Sequence, residues 1–155
     1  IHEVTEHVIE LFKYDAENID VNFIKDYDPS IPQLTLDRHQ IIQSLINILR
    51  NAIQAINKNG KIVIKTRPIF KYTIGDIKHD LVVKIDVIDN GIGIPEEKLK
   101  EIFYPMVTTK NEGMGLGLTI AQSIIIENKG IIECKSKNKE TIFSIILPWS
   151  DNEKI

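Results

Sequence analysis

The periodicities of this chain specify an α/β (α+β) two-layer sandwich, a mostly antiparallel sheet with helices packed on one face. Stretches with apolar residues at helical spacing are interleaved with stretches in which apolar and polar residues alternate. The alternating stretches come in pairs joined by turn signals, which indicates hairpins rather than parallel crossovers. At 155 residues the chain is one domain, and a domain of this length buries roughly two thirds of its unfolded surface.

The elements follow in order. Residues 3–13 place Val4, Val8, Leu11 and Phe12 at helical spacing. Ile19, Val21 and Phe23 alternate with polar residues as a strand, and Asp28-Pro29-Ser30-Ile31-Pro32 breaks the chain. Asp37, with Gln40 three residues on, resembles a capping box opening a helix to about residue 56. Ile41, Leu45, Ile48, Ala52 and Ala55 give that helix a buried face. Asn59-Gly60 is a turn, after which residues 61–67 form a strand with Ile62, Ile64 and Thr66 on one face. A polar loop around Gly75-Asp76 leads to an antiparallel strand over 81–88. A short helix (96–102), a loop (103–112), a helix (115–128) and two strands (130–137 and 141–147) complete the chain, with no internal repeat.

Composition narrows the function classes. The chain is 43% hydrophobic and 26% charged with mean hydropathy near zero, as in soluble globular proteins. No stretch approaches the ~20 apolar residues of a bilayer span, and the single Cys134 fits a reducing compartment. The reading is a cytoplasmic domain. A net charge of −3 without a basic block disfavours nucleic acid. To bind a polyanion, such a chain must concentrate cations locally, and Arg50 and Lys110 are the candidates.

Three groups of residues could carry chemistry. Asn47 and Asn51, four apart on a helix, share one face, and an amide oxygen is a hard neutral ligand suited to Mg²⁺. Alone, they could equally be a solvated face. Asp89 ends a strand and opens Asp89-Asn90-Gly91-Ile92-Gly93-Ile94-Pro95. Its carboxylate could accept a hydrogen bond from an adenine amine, while Gly91 and Gly93 clear room for a planar ring and permit positive φ. The bland alternative is a tight strand-exit turn. Gly113, Gly115 and Gly117 precede an apolar helical run, where free N–H groups favour anionic oxygens, and Thr119 adds a hydroxyl in the first turn. The spacing is G-x-G-x-G, neither the dinucleotide fingerprint nor a P-loop. Residues 103–112 have the length of a lid, with Phe103 as its anchor and Lys110 within reach of a terminal phosphate. His2-Glu3 and His7 do not form a zinc motif. H-E-x-x-H needs His at position 6, which is Glu6, and five residues rotate His7 by roughly 140° from His2. His39 and His79 read as surface residues.

Taken together, these residues resemble the catalytic domain of the sensor histidine kinases of the GHKL superfamily. Residues 47–52 look like its N box, 89–95 its G1 box, 103–105 its F box and 113–118 its G2 box, in that order. Residues 26–32, Arg50-Asn51-Ala52 before Gln54-Ala55, and residues 103–107 resemble the nitrogen-regulation (NtrB) branch. Ile92, where proline is expected, and Thr108-Thr109-Lys110 depart from that branch.

The resemblance implies a Bergerat-type ATP fold, a mixed sheet layered against helices, and ATP with Mg²⁺ as cofactors. By the same resemblance Asn51 would coordinate Mg²⁺ and Asn47 assist at the phosphates. Asp89 would bind the adenine amine with Gly93 close to the base, and Gly113, Gly115 and Gly117 would shape the phosphate end. Arg50, Ala55, Gly91, Ile94, Lys110, Leu116, Leu118 and Thr119 complete the expected nucleotide-binding set. The γ-phosphate would pass to a histidine on a separate dimerisation domain and then to an NtrC-like response regulator, with the PII signal protein as regulator. The H box carrying that histidine has no match here, since His2-Glu3-Val4-Thr5-Glu6 lacks its proline. Residues 1–155 are therefore expected to be one catalytic domain, monomeric alone and dimeric in the full-length protein. The alternatives are an anti-sigma serine kinase, an ATPase clamp of the Hsp90, gyrase or MutL type, or an interaction module without nucleotide. The clamps use a catalytic glutamate near position 47, and neither asparagine can act as a general base.

Overall fold

The structure, a computed structural model, describes residues 1–104 and 116–150. The chain runs α1 (His2–Asn18), β1 (Val21–Tyr27), α2 (Arg38–Gln54), β2 (Gly60–Ile74), β3 (Ile77–Asp89), α3 (Glu96–Leu99), α4 (Gly117–Glu127), β4 (Ile131–Lys137) and β5 (Glu140–Pro148). The strands form one five-stranded sheet in the order β1-β2-β3-β5-β4. β1 lies parallel to β2 and every other pair is antiparallel. The sheet is thus mixed, as the resemblance implies.

One sheet face and the helices share the core. Ile62, Ile64, Val83, Ile85, Val87, Phe143, Ile145 and Leu147 are buried on that face. Against them lie Ile41, Leu45, Ile48, Leu49 and Ala52 of α2, Ala121 and Ile125 of α4, and Val8 and Phe12 of α1. α2 packs against both α1 and α4. Each large aliphatic side chain removed from water here contributes about 1.5–3 kcal/mol. The other sheet face is polar at its centre, where Ser144 donates to Asp86 and Lys84 pairs with the same carboxylate at 3.3 Å.

Several boundaries differ from the sequence reading. α1 continues to Asn18 because its buried stripe is Val8, Ile9, Phe12 and Ala16, while Leu11 faces solvent. Ile19 caps this helix and β1 starts two residues later. The expected polar loop around Gly75-Asp76 is only a two-residue turn between paired Ile74 and Ile77. Gly75 takes φ +57 at its first central position, as a type II′ turn requires. The ribbon extends past the core on backbone ladder bonds, so its outer residues, including Phe70, remain exposed. The helix read over 96–102 is a single turn at Glu96–Leu99. In the helix read over 115–128, α4 begins at Gly117 within the described residues.

Capping follows the expectation in part. The Asp37 carboxylate accepts from the N–H groups of His39 and Gln40 at 2.9 and 3.1 Å. Gln40 spends its side-chain oxygen on Asn128 Nδ2 at 2.9 Å, which ties the start of α2 to the end of α4. His2, excluded from a zinc motif in the sequence, stacks on Tyr27 with ring centroids 4.6 Å apart. Its Nε2 lies 2.8 Å from Thr66 Oγ1. No described helix is long and apolar enough to cross a membrane.

Candidate nucleotide-binding site

α2 supplies one wall. Asn47, Asn51 and Ala55 follow one another at four-residue intervals and line one face of the helix. The line runs outward: Asn47 is 5% exposed, and Asn51 and Ala55 are half-buried. Asn47 Nδ2 is buried without a hydrogen-bond partner among the described residues. A native fold rarely leaves such a group orphaned, since its desolvation costs about 1–3 kcal/mol. The backbone of α4 enters beside it, and a Cβ on Gly117 would stand 3.3 Å from Asn47 Oδ1. The side chain therefore occupies a polar corner where α2 meets the first turn of α4, whose N–H groups suit an anion.

The turn at residues 89–95 supplies the end of the site and is tied down along its length. Asp89 is 2% exposed, and its Oδ1 accepts from Gly91 N at 2.9 Å. Asn90 exchanges two bonds with Lys61, accepting from Lys61 N through Oδ1 at 2.7 Å and donating its own N–H to Lys61 O. Ile92 N donates to Ala55 O at 2.9 Å. Gly91 lies against that same carbonyl so tightly that a Cβ would fall 2.4 Å from it. Gly93 takes φ +78, and Ile94 packs on the core.

The sheet supplies the floor. Asp89 stands opposite Thr141, and Thr141 opposite Ser136, so β3, β5 and β4 present the three side chains in one row. Cys134, two residues before Ser136, is half-buried. Burial, reinforced by the Asp89 carboxylate, pushes its thiol up to about 12. Thr141 and Ser136 were not singled out in the sequence, and Cys134 was read only for its compartment. They are ordinary strand residues until the register places them beside Asp89.

The fold thus brings Asn47, Asn51, Ala55, Asp89, Gly91, Gly93, Ile94 and Gly117 together where α2 meets the 89–95 turn and the start of α4. Leu118 packs on the core and Leu116 is the N-cap of α4. Thr119 donates its hydroxyl to Phe103 O at 3.0 Å. It therefore joins α4 to Phe103, the first residue of the expected lid segment. Phe103 meets Phe143 edge-on at 6.4 Å, the core anchor anticipated for it. Arg50 is exposed on α2. Lys110, Gly113 and Gly115, with most of the 103–112 segment, lie outside the described residues. A separate groove of about 560 Å³ opens between the start of α1 and the segment before α2. It is lined by Val4, Ile31, Leu34 and Leu36 among others and takes in none of the pocket residues.

Residues 36–151 match the family model described as histidine kinase-, DNA gyrase B-, and HSP90-like ATPase. The chain belongs to this ATPase family. Among solved members it is similar to the catalytic domain of histidine kinase ThkA, with a TM-score of 0.82 and 32% identity. That match covers 96% of this chain and 92% of the other. A complex of ThkA with the response regulator protein TrrA also matches, at TM-score 0.79 and 28% identity over 99% of this chain and 42% of that one. Among curated relatives, the sensory histidine kinase/phosphatase NtrB of Proteus hauseri is 45% identical over 96% of this chain. The chain spans 42% of that relative's length. It is therefore an ATPase domain of the histidine kinase type, NtrB-like in sequence.

Proposed function

We propose that this domain binds Mg-ATP between α2, the 89–95 turn and the start of α4. It presents the γ-phosphate to a histidine on a separate dimerisation domain. The observation that carries the reading is the buried Asn47 Nδ2, without a hydrogen-bond partner among the described residues, one turn before Asn51 and beside the first turn of α4. A buried N–H donor without a partner among the described residues suits a polar ligand that arrives later, and phosphate oxygens meet that need.

The residues fit the cofactors in kind. Asn51 offers Mg²⁺ a neutral oxygen, and the ion would take its remaining ligands from phosphates and water. When bound, Mg²⁺ supplies charge neutralisation on the transferring phosphoryl group. Asp89 holds Gly91 N, and a carboxylate is an acceptor of the kind an exocyclic amine requires. Gly91 and Gly93 let the turn lie flat beside a ring. The α2 wall lacks a carboxylate to activate water, which favours transfer over hydrolysis. Lys110, Gly113 and Gly115 are assigned to the phosphate end, and 103–112 to the lid, on the sequence pattern.

Within the whole protein, we place residues 1–155 as the catalytic domain of a dimeric, cytoplasmic sensor kinase of nitrogen regulation. The downstream partner would be an NtrC-like response regulator, and PII would set the balance of kinase and phosphatase activity. The NtrB name of the relatives supports the kinase/phosphatase assignment, and the ThkA–TrrA complex supports a response-regulator partner. Calorimetric titration with Mg-ATP tests the site. Asn51→Ala should lose the Mg²⁺-dependent part of the affinity, and Asp89→Asn should lose preference for adenine over guanine. Phosphotransfer by Asn51→Ala to an added dimerisation domain at the wild-type rate would sink the proposal.

A further inference from the structure

The row Asp89, Thr141, Ser136 crosses three strands and ends under the 89–95 turn. Directly opposed residues project from the same face, so all three side chains reach the pocket side of the sheet. Asp89 and Thr141 are almost fully buried, at 2% and 3% exposure. Ser136 is the member that touches both the row and the turn. Ile94 N donates to its Oγ at 2.9 Å, and Thr141 Oγ1 lies 3.0 Å from the same atom. Gly93, held at positive φ, passes so close that a Cβ there would be 3.3 Å from the Ser136 hydroxyl. Elsewhere the turn is held by backbone carbonyls, by its own side chains, and by Lys61 and Ala55. Among the described hydrogen bonds, Ser136 is the side chain that ties the turn to β4 and, through Thr141, to the far end of the row.

We propose that Ser136 is a positioning residue for base recognition. Its hydroxyl sets the height of the Gly93–Ile94 backbone above the sheet and orients the Thr141 hydroxyl beside Asp89. A hydroxyl has one donor and two acceptor sites. With Ile94 N–H on one acceptor site, the bond to Thr141 fixes where that neighbour's lone pairs and proton point. Removing the Ser136 oxygen frees both the turn and the rotor, and a base edge that must match donors to acceptors then meets an undefined partner. The inference rests on the nucleotide reading above and adds a residue from β4 to it.

The test is calorimetric titration of Mg-ATP and Mg-GTP into the wild-type chain, Ser136→Ala and Ser136→Thr, with thermal unfolding of each. Ser136→Ala should weaken ATP binding about 3- to 10-fold, the worth of one such hydrogen bond, while GTP binding changes little. Ser136→Thr, which keeps the hydroxyl on a β-branched residue that strands accept, should restore most of the ATP preference. Equal weakening of both nucleotides, tracking lost thermal stability, would make Ser136 merely structural and overturn the inference. So would failure of Ser136→Thr to restore what Ser136→Ala loses. Normal wild-type binding with an unchanged Ser136→Ala removes the role of Ser136 alone. A wild-type chain that binds no adenine nucleotide removes the site reading itself, and this inference with it.

Discussion

The carbonyl of Ala55, at the end of α2, accepts the backbone N–H of Ile92 at 2.9 Å. A helix end leaves its last carbonyls without intrahelical partners. Here one of them is satisfied by the glycine turn, so the wall that carries Asn47 and Asn51 and the turn that carries Asp89 form one unit. Their relative position does not depend on flexible side chains.

Gly91→Ala tests that unit. The added Cβ would meet the Ala55 carbonyl oxygen at 2.4 Å, and backbone must move to admit it. The variant should lose about 1–3 kcal/mol of stability in urea unfolding. It should also lose nucleotide affinity by roughly tenfold or more, because the turn shifts against the α2 wall. Gly75→Ala is the control: its Cβ meets open space, so only the strain at φ +57 is added, about 1 kcal/mol, with binding intact. Unchanged nucleotide binding by Gly91→Ala would contradict the coupling.

Asn47→Leu separates stability from function. A leucine of similar size removes the buried Nδ2, which has no hydrogen-bond partner among the described residues. The nucleotide-free variant should be more stable than the wild type, by ~1 kcal/mol, and should no longer bind Mg-ATP. Such an exchange of stability for activity marks a residue kept for its ligand. A less stable variant that still binds would refute it.

The stack of His2 on Tyr27 makes stability fall with acid. Burial holds the His2 pKa below its ordinary 6.5, while Asp28 and Glu6 act in the opposite sense. The unfolded chain therefore binds this proton more readily than the folded one. Stability on this account is full above the unfolded pKa and declines as pH falls from it toward the lower folded value. Urea unfolding at about pH 7.5 and about pH 5.5 should show a smaller decline for His2→Gln than for the wild type. Equal declines would remove His2 as a contributor.

Cys134 should be inert in the folded domain. Its thiol is pushed up to about 12, chiefly by burial and then by Asp89. Since the thiolate is the nucleophile, alkylation at mildly alkaline pH should be slower than in the unfolded chain by on the order of a thousandfold. Mass spectrometry after a timed iodoacetamide pulse reads this directly, and rapid labelling of the folded chain would contradict the described surroundings.

The sequence by itself determined the elements and the boxes, because those signals are local. Helical spacing of Ile41, Leu45, Ile48 and Ala52 marks the buried face of α2, and Asp37 marks its start. Alternation of Ile62, Ile64 and Thr66 marks a buried strand face, and glycines at 91 and 93 announce a turn next to Asp89. These patterns sit within a few residues of each other and need no partner to be legible. The tertiary structure decided what lies beside them. The parallel pairing of β1 with β2, the continuation of the β2–β3 ribbon to Gly75 and the stacking of His2 on Tyr27 all depend on residues far apart in the chain. Register gives the same answer for the pocket floor: Thr141 and Ser136 stand next to Asp89 only because three strands align, and cross-strand neighbours leave no trace in linear spacing. The packing of Gly91 on Ala55 and of Gly117 on Asn47 has the same origin, since which backbones approach is settled by how helices and sheet close on one core.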